Sequence, residues 1–225
     1  MDRDLSTLMT IAVLGGTGKE GSGLVLRWAH CGYRVLIGSR DAERAQAKAD
    51  EINGMLNAAL VRGLANAEAA AQADIVVLSV PYAGHRDTLA SVRDELQGKI
   101  LIDLTVPLQP PAVRTVYVPE GKSAALEAQA IVGEGVRVVA AFQNVSASHL
   151  QKLDYPVNTD VLVCGDDEDA KQEVFKLVEG IEGMRPIDAE PLANAVAVEA
   201  LTPVLLYINK RYKVQGAGIR IMGVE

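Results

Sequence analysis

Short apolar runs alternating with amphipathic stretches set the rhythm of the first two thirds of the chain. Ile11–Leu14, Arg34–Ile37, Ala58–Val61, Asp74–Val80, Lys99–Asp103 and Arg137–Phe142 are short and mostly apolar, which predicts strands. The intervening stretches read as helices. The first carries apolar Leu24, Leu26, Trp28 and Cys31, and the second runs from a capping Asp41 to Asn53. Ala65–Ala73, a stretch reaching Leu96 and Ser123–Val132 complete the set. A run as continuous as Asp74–Val80 belongs to a strand covered on both faces, so the alternation predicts an α/β chain with a doubly wound, mainly parallel sheet.

The pattern breaks twice. Thr105–Pro119 holds four prolines and reads as a long irregular loop after a strand, the kind of segment that usually serves function. Beyond Phe142 the composition changes. Ser146–Leu153 reads as a helix, Val161–Cys164 as a strand stopped by Gly165, and Asp166–Asp169 as the acidic cap of a helix to Ile181. A strand at Met184–Asp188, a long helix from Leu192 to Tyr212 and a glycine-rich tail close the chain. The expected division is a dinucleotide-binding domain over residues 1–142 and a smaller α+β domain over residues 143–225.

Between the first strand and first helix lies Gly16-x-Gly18-x-x-Gly21, inside a βαβ unit. In that setting Gly16 permits the tight turn, Gly18 lets a pyrophosphate approach the backbone, and Gly21 lets helix and strand pack closely. The helix N-terminus then receives the phosphates, which makes the expected fold Rossmann-type. A site for the unphosphorylated dinucleotide places an acid at the end of the second strand. Here that end reads Gly38-Ser39-Arg40, with Arg44 one turn later, a hydroxyl and two guanidinium groups suited to a 2′-phosphate. The cofactor expected is NADP(H).

Composition narrows the partners. The chain has 225 residues, 49% of them apolar and 23% charged, with a net charge of −7. That balance is of a soluble globular protein and argues against nucleic acid or an anionic membrane as partner. The acidic opening Met1–Thr10 has no leader pattern, and Leu192–Asn209 contains Glu199, Thr202 and Pro203, unlike a membrane span. Cys31 and Cys164 read as small buried apolar residues in a reducing cytoplasm, and the acids at 166–169 as helix-capping rather than metal-binding.

No nucleophile-and-base pair stands out. His30 and His149 read as partly exposed helix residues, while His85, just after a ligand-facing strand end, is placed to touch cofactor. A dinucleotide site without an acid–base dyad suits hydride transfer to another ring, which needs position more than proton chemistry.

Together AVLGGTG, IGSR, CGDD after a strand, RPIDAEPL and EALTPVLLYIN resemble the NADPH-dependent F420 reductases (F420H2:NADP oxidoreductases) over nearly the whole chain. The resemblance implies direct hydride transfer between nicotinamide C4 and deazaflavin C5, with no catalytic side chain and no metal. It places Thr17, Gly18, Lys19 and Glu20 in the pyrophosphate loop and Ser39, Arg40 and Arg44 in the 2′-phosphate clamp. Val80, Pro81 and Tyr82 would support the nicotinamide. Val106, Pro107, Gln143, Asn144 and Thr202 would line the deazaflavin pocket, with Val145 where the rings meet. Members often carry His where Gln143 stands; Gln can hydrogen-bond a ring but cannot carry a proton.

Coenzyme F420 carries a phosphate and a polyglutamate tail. Lys210, Arg211, Lys213 and Arg220, within a stretch without acids, form a candidate patch for it, although cations also suit a helix C-terminus. The expectation is a cytoplasmic, nucleotide-binding homodimer with small-molecule cofactors as its only partners. A reductase of the same fold using a flavin or other acceptor, and a non-catalytic NADP(H)-sensing protein, are the alternatives.

Overall fold

The computed structural model describes residues 9–224; the reading of the N-terminal stretch therefore lies almost wholly outside the described residues. One eight-stranded sheet runs through the molecule in the order β3-β2-β1-β4-β5-β6-β7-β8. The first six strands are β1 (Thr10–Leu14), β2 (Arg34–Ser39), β3 (Val61–Ala65), β4 (Ile75–Leu78), β5 (Ile100–Asp103) and β6 (Arg137–Ala140), all parallel. β7 (Thr159–Gly165) meets β6 antiparallel through Val139↔Gly165 and Ala140↔Cys164, and β8 (Met184–Asp188) follows β7 in parallel.

Helices α1 (Lys19–His30), α2 (Ala42–Leu56), α3 (Asn66–Gln72), α4 (Tyr82–Ser91) and α5 (Ala124–Val132) cross between the parallel strands. α6 (Ala147–Leu150), α7 (Glu168–Glu179) and α8 (Ala195–Tyr212) belong to the later part. Burial on both faces explains the uninterrupted apolar strands. One core cluster includes Ile11, Val13, Trp28, Ile75 and Phe142, and a second includes Ala12, Leu14, Val76, Leu101 and Cys164. Alternate residues of each strand thus feed opposite layers.

The third strand lies later than its apolar signal suggested, at Val61–Ala65 rather than Ala58–Val61. α2 continues to Leu56 and ends with Asn57 in the left-handed region (φ 49°), so the apolar residues before Val61 serve the connection. Gly63 makes the strand possible: a Cβ there would lie 2.0 Å from the Gln46 amide nitrogen of α2. A glycine that reads as a break is here the point of closest helix–strand approach.

Two further expectations shift and one holds. The helix expected over Ser146–Leu153 is only the four residues of α6. Cys164 is buried, its thiol pushed up to about 12 by burial, but Cys31 is only partly buried. The acids at 166–169 do act as caps and pair partners: Asp167 accepts from the Ala170 amide at 2.7 Å, Asp166 from the Leu192 amide at 2.9 Å. Glu168, Asp188 and Glu190 converge around the buried Lys171 ammonium, which pairs with them at 3.0, 2.8 and 3.2 Å.

By length and composition the stretch Leu192–Tyr212 suits a membrane crossing. In the fold Ala195, Val198, Glu199, Pro203 and Leu205 are buried. The Glu199 carboxylate accepts from the Ala124 and Ala125 amides at 2.8 and 3.1 Å, capping α5.

Candidate functional site

The glycine turn is built as the sequence demands, with one reassignment. Gly15 (φ +79°) makes the sharp turn, where a Cβ would stand 2.2 Å from the Ser79 carbonyl oxygen. Gly16, expected in that role, is instead needed for contact, since its Cβ would meet the Val13 carbonyl at 2.8 Å. Gly21 packs as predicted, 2.9 Å from the Gly15 oxygen in the same sense. Gly18 caps α1 without any side-chain hydrogen bond. The first turn of α1 is therefore without a side-chain cap, which suits it to seat an anion.

Two cavities open at the carboxyl ends of the parallel strands. The second, about 670 Å³, is lined by Thr17 and Gly18 at one end and Ser39, Arg40 and Arg44 at the other. Arg40 and Arg44 are exposed and enter no ion pair among the described residues; Asp41 instead caps α2, accepting from the Arg44 amide at 3.1 Å. Both guanidinium groups are thus free for a phosphate. Asn66, absent from the sequence expectations, also lines this cavity, and its side-chain oxygen is buried without a partner. Its signal, a lone Asn opening a helix, was too common to single out.

The larger cavity, about 770 Å³, takes in Lys19, Glu20, Val106, Gln143, Asn144, Val145 and Thr202 from the expected set. Gly18, Ser79, Val80 and Pro81 line both cavities and form their common wall. The tail residues Val214–Ala217 and Leu205 on α8 close the far side. Glu20 has no hydrogen-bond partner among the described residues, and burial pushes its carboxyl up to about 8.

Four expected residues, Gly16, Tyr82, His85 and Pro107, do not line either cavity. The Tyr82 hydroxyl donates to Glu127 at 2.9 Å, and burial together with that carboxylate pushes its pKa up, making it a weaker acid. His85 is 1% exposed and shares a 2.7 Å hydrogen bond with the fully buried Asp103. Pro107 is buried between Val106 and Leu108, whose side chains do face the larger cavity.

Asp103 organises the wall from behind. Besides His85, its carboxylate accepts from the Thr105 amide at 2.9 Å, while its main-chain oxygen accepts from Gln143 Nε2 at 2.8 Å. Thr202 donates to the Gln143 carbonyl at 2.6 Å. Chain direction at Gln143 is set by Phe142, a non-glycine residue at φ +73° whose ring stands edge-on to Trp28 at 5.7 Å. A left-handed residue of this type costs about 1–2 kcal/mol, offset here by complete burial of the ring.

α1 joins the two cavities. Arg27, 3% exposed, donates to the carbonyls of His149, Leu150 and Tyr155 at 2.8, 3.0 and 2.7 Å, and to that of Lys152. It thereby fixes α6, whose Ala147 and Ser148 line the larger cavity. Of the proposed tail patch, Lys210, Arg211 and Lys213 are exposed at the end of α8, whereas Arg220 pairs with buried Asp160 at 2.9 Å. Arg185 makes a second pair at 2.8 Å, and its hydrogen bond is foremost in holding the Asp160 carboxyl down to about 2.

Residues 10–107 match the family model described as NADP oxidoreductase coenzyme F420-dependent. An F420-dependent NADP reductase of Methanothermobacter thermautotrophicus is 46% identical over 221 residues, covering 95% of each chain. One from Methanocaldococcus jannaschii is 41% identical over 225 residues, covering 96% of this chain and all of its own. A crystal structure from Arthrobacter sp. FB24, of a protein assigned as an F420-dependent NADP-reductase, superimposes with a TM-score of 0.80. Its identity is 28%, over 95% of this chain and 99% of that one.

Proposed function

The chain belongs to the coenzyme F420-dependent NADP oxidoreductases, and from that premise we propose how its two cavities divide the work. The enzyme transfers a hydride between NADP(H) and coenzyme F420. NADP(H) occupies the cavity between Thr17 and Arg44, with its pyrophosphate over Gly18 and the first turn of α1 and its 2′-phosphate between Ser39, Arg40 and Arg44. The deazaflavin occupies the larger cavity, against Val106, Gln143, Asn144, Val145 and Thr202. Residues 143–225 act as the smaller unit that completes this second pocket.

The observation that carries this division is the common wall of Gly18, Ser79, Val80 and Pro81. Ring atoms that exchange hydride must approach to roughly 3–3.5 Å with orbitals aligned, and a shared wall lets two ligands meet while each keeps its own anchors. The reaction is NADPH + F420 + H⁺ ⇌ NADP⁺ + F420H2. The C4–H bond of the nicotinamide breaks, the C5–H bond of the deazaflavin forms, and a proton from solvent reaches ring N1. The protein's contribution is position: apolar Val80, Pro81 and Val145 keep water from the meeting point.

His85 and Tyr82 serve the site indirectly in this reading, the first by fixing Asp103 behind Gln143. The exposed apolar residues of α8, Val204, Tyr207 and Tyr212, support a homodimer formed along that helix, and the two free cysteines suit a reducing cytoplasm. Purified protein mixed with NADPH and oxidised F420 should bleach the deazaflavin's visible absorbance, while a flavin control stays unchanged. Intact NADPH binding without bleaching would refute the assignment of the larger cavity.

A further inference from the structure

The larger cavity carries an unusual polar lining. Gln143 Oε1, Asn144 Oδ1 and Thr105 Oγ1 are buried and have no hydrogen-bond partner, and all three residues line this cavity. Each residue is only 3% exposed. Their orientation is fixed by the other end of the group. Gln143 Nε2 is spent on the Asp103 carbonyl at 2.8 Å, and Asn144 Nδ2 on the Asp160 carbonyl at 2.7 Å. The Thr105 amide is held by Asp103 at 2.9 Å. Asn144 Nδ2 has a second contact with Thr159 Oγ1 at 3.5 Å, so the atoms left wholly without a partner on the two amides are their carbonyl oxygens, which can only accept, whereas the Thr105 hydroxyl can both donate and accept. A buried acceptor left unmade costs about 1–3 kcal/mol, so a ligand that presents donors recovers that amount and one that presents further acceptors does not.

The two redox forms of a deazaflavin differ in this respect. The oxidised ring has a bare nitrogen at N1, and its 8-hydroxyl is acidified by conjugation with the electron-poor ring, so its charge spreads towards the pyrimidine carbonyls. The reduced ring carries an N–H at N1, and its 8-hydroxyl is an ordinary neutral phenol. At the N1 edge and at the 8-hydroxyl end, reduction replaces an acceptor by a donor, while the N3–H and carbonyl groups stay as they are. We propose that the free carbonyl oxygens of Gln143 and Asn144 make the pocket selective for the reduced deazaflavin, pulling the equilibrium on the protein towards F420H2. The proposal rests on the placement of F420 in the larger cavity and adds the redox state that the cavity prefers.

Direct binding tests it without turnover. Oxidised F420 is titrated by its own fluorescence, and F420H2 is titrated anaerobically by competition, in the absence of any nicotinamide nucleotide. The wild-type protein should bind the reduced form at least about 10-fold more tightly. That ratio corresponds to a midpoint potential of the bound couple about 30 mV above that of the free coenzyme. Gln143→Met and Asn144→Leu each remove a free carbonyl acceptor at similar volume. Each should lower the preference by roughly 3-fold or more, chiefly by weakening F420H2. NADPH affinity at the other cavity checks that the variants are folded, and Asn144→Leu decides the matter if Gln143→Met is not. Equal affinity for both forms, tighter binding of the oxidised form, or an unchanged ratio in a folded variant overturns the proposal. Binding of neither form would instead overturn the placement of F420 on which it rests.

Discussion

Replacing Arg40 by Ala separates the two nicotinamide nucleotides most cleanly. The guanidinium is exposed and unpaired, Arg44 stands one turn away, and Ser39 is occupied as acceptor for the Asp41 amide at 3.1 Å. A charge-assisted bond to phosphate contributes about 1.5–3 kcal/mol, so Arg40→Ala should weaken NADPH roughly 10- to 100-fold. Exposure puts the effect at the lower end and makes it shrink further as salt is raised. NADH has no 2′-phosphate and should lose less than about 3-fold. Since no contact within the protein is given up, Tm should move by no more than about 2 °C. The assay is the Kd of each nucleotide by quenching of the single Trp28, repeated at low and high ionic strength. Equal losses for NADPH and NADH, or none for either, would refute the clamp.

Glu20 predicts a pH effect with a definite sign. Its carboxyl, raised by burial from 4.5 to about 8, holds a proton in the fold that it loses on unfolding, so stability falls as pH rises from about 4.5 through 8. Glu20→Gln should gain in Tm over the wild type progressively across that window; parallel Tm–pH curves would contradict it. Glu199→Ala strips two buried amides of their acceptor and should cost about 2–3 kcal/mol, or roughly 4–12 °C in Tm. A loss under about 2 °C would show that water replaces the cap. Arg27→Met frees α6 from its carbonyl clamp and should raise the KM for F420 about 10-fold or more, leaving that for NADPH within about 3-fold. Equal rises in both would dissociate Arg27 from the deazaflavin side.

What could be read from the sequence were features whose cause is local. Glycine spacing, a capping Asp41 and apolar runs announce the nucleotide-binding half, because turn, cap and strand are each decided within a few residues. The residues that line the larger cavity came from family likeness, and what orients them could not be read at all. Glu199 meets Ala124 across 75 positions, Arg27 meets Leu150 across 123, and neither pairing leaves a periodic trace. His85 looked like a ligand contact because it follows a strand end, but the first helical turn carries it inward to Asp103. Arg220 looked like part of a cationic patch because sequence lists charges without their partners; Asp160 claims it. Phe142 in the left-handed region is the least legible of all, since nothing in its residue type asks for positive φ.

α1 is twelve residues long, about 18 Å from end to end. It begins at its cap, Gly18, where the pyrophosphate is proposed to sit, and its last turn carries Arg27, which grips α6 in the wall of the other pocket. A helix is stiff along its axis, so any displacement of Gly18 on taking up the dinucleotide would be carried along α1 to Arg27 and α6. If that displacement alters the hold on F420 by some factor, NADP(H) must feel F420 by the same factor, since binding free energies around a closed cycle are reciprocal. The two substrates are then thermodynamic effectors of each other through one rod. The order in which they arrive changes the path taken but not the strength of the ternary complex.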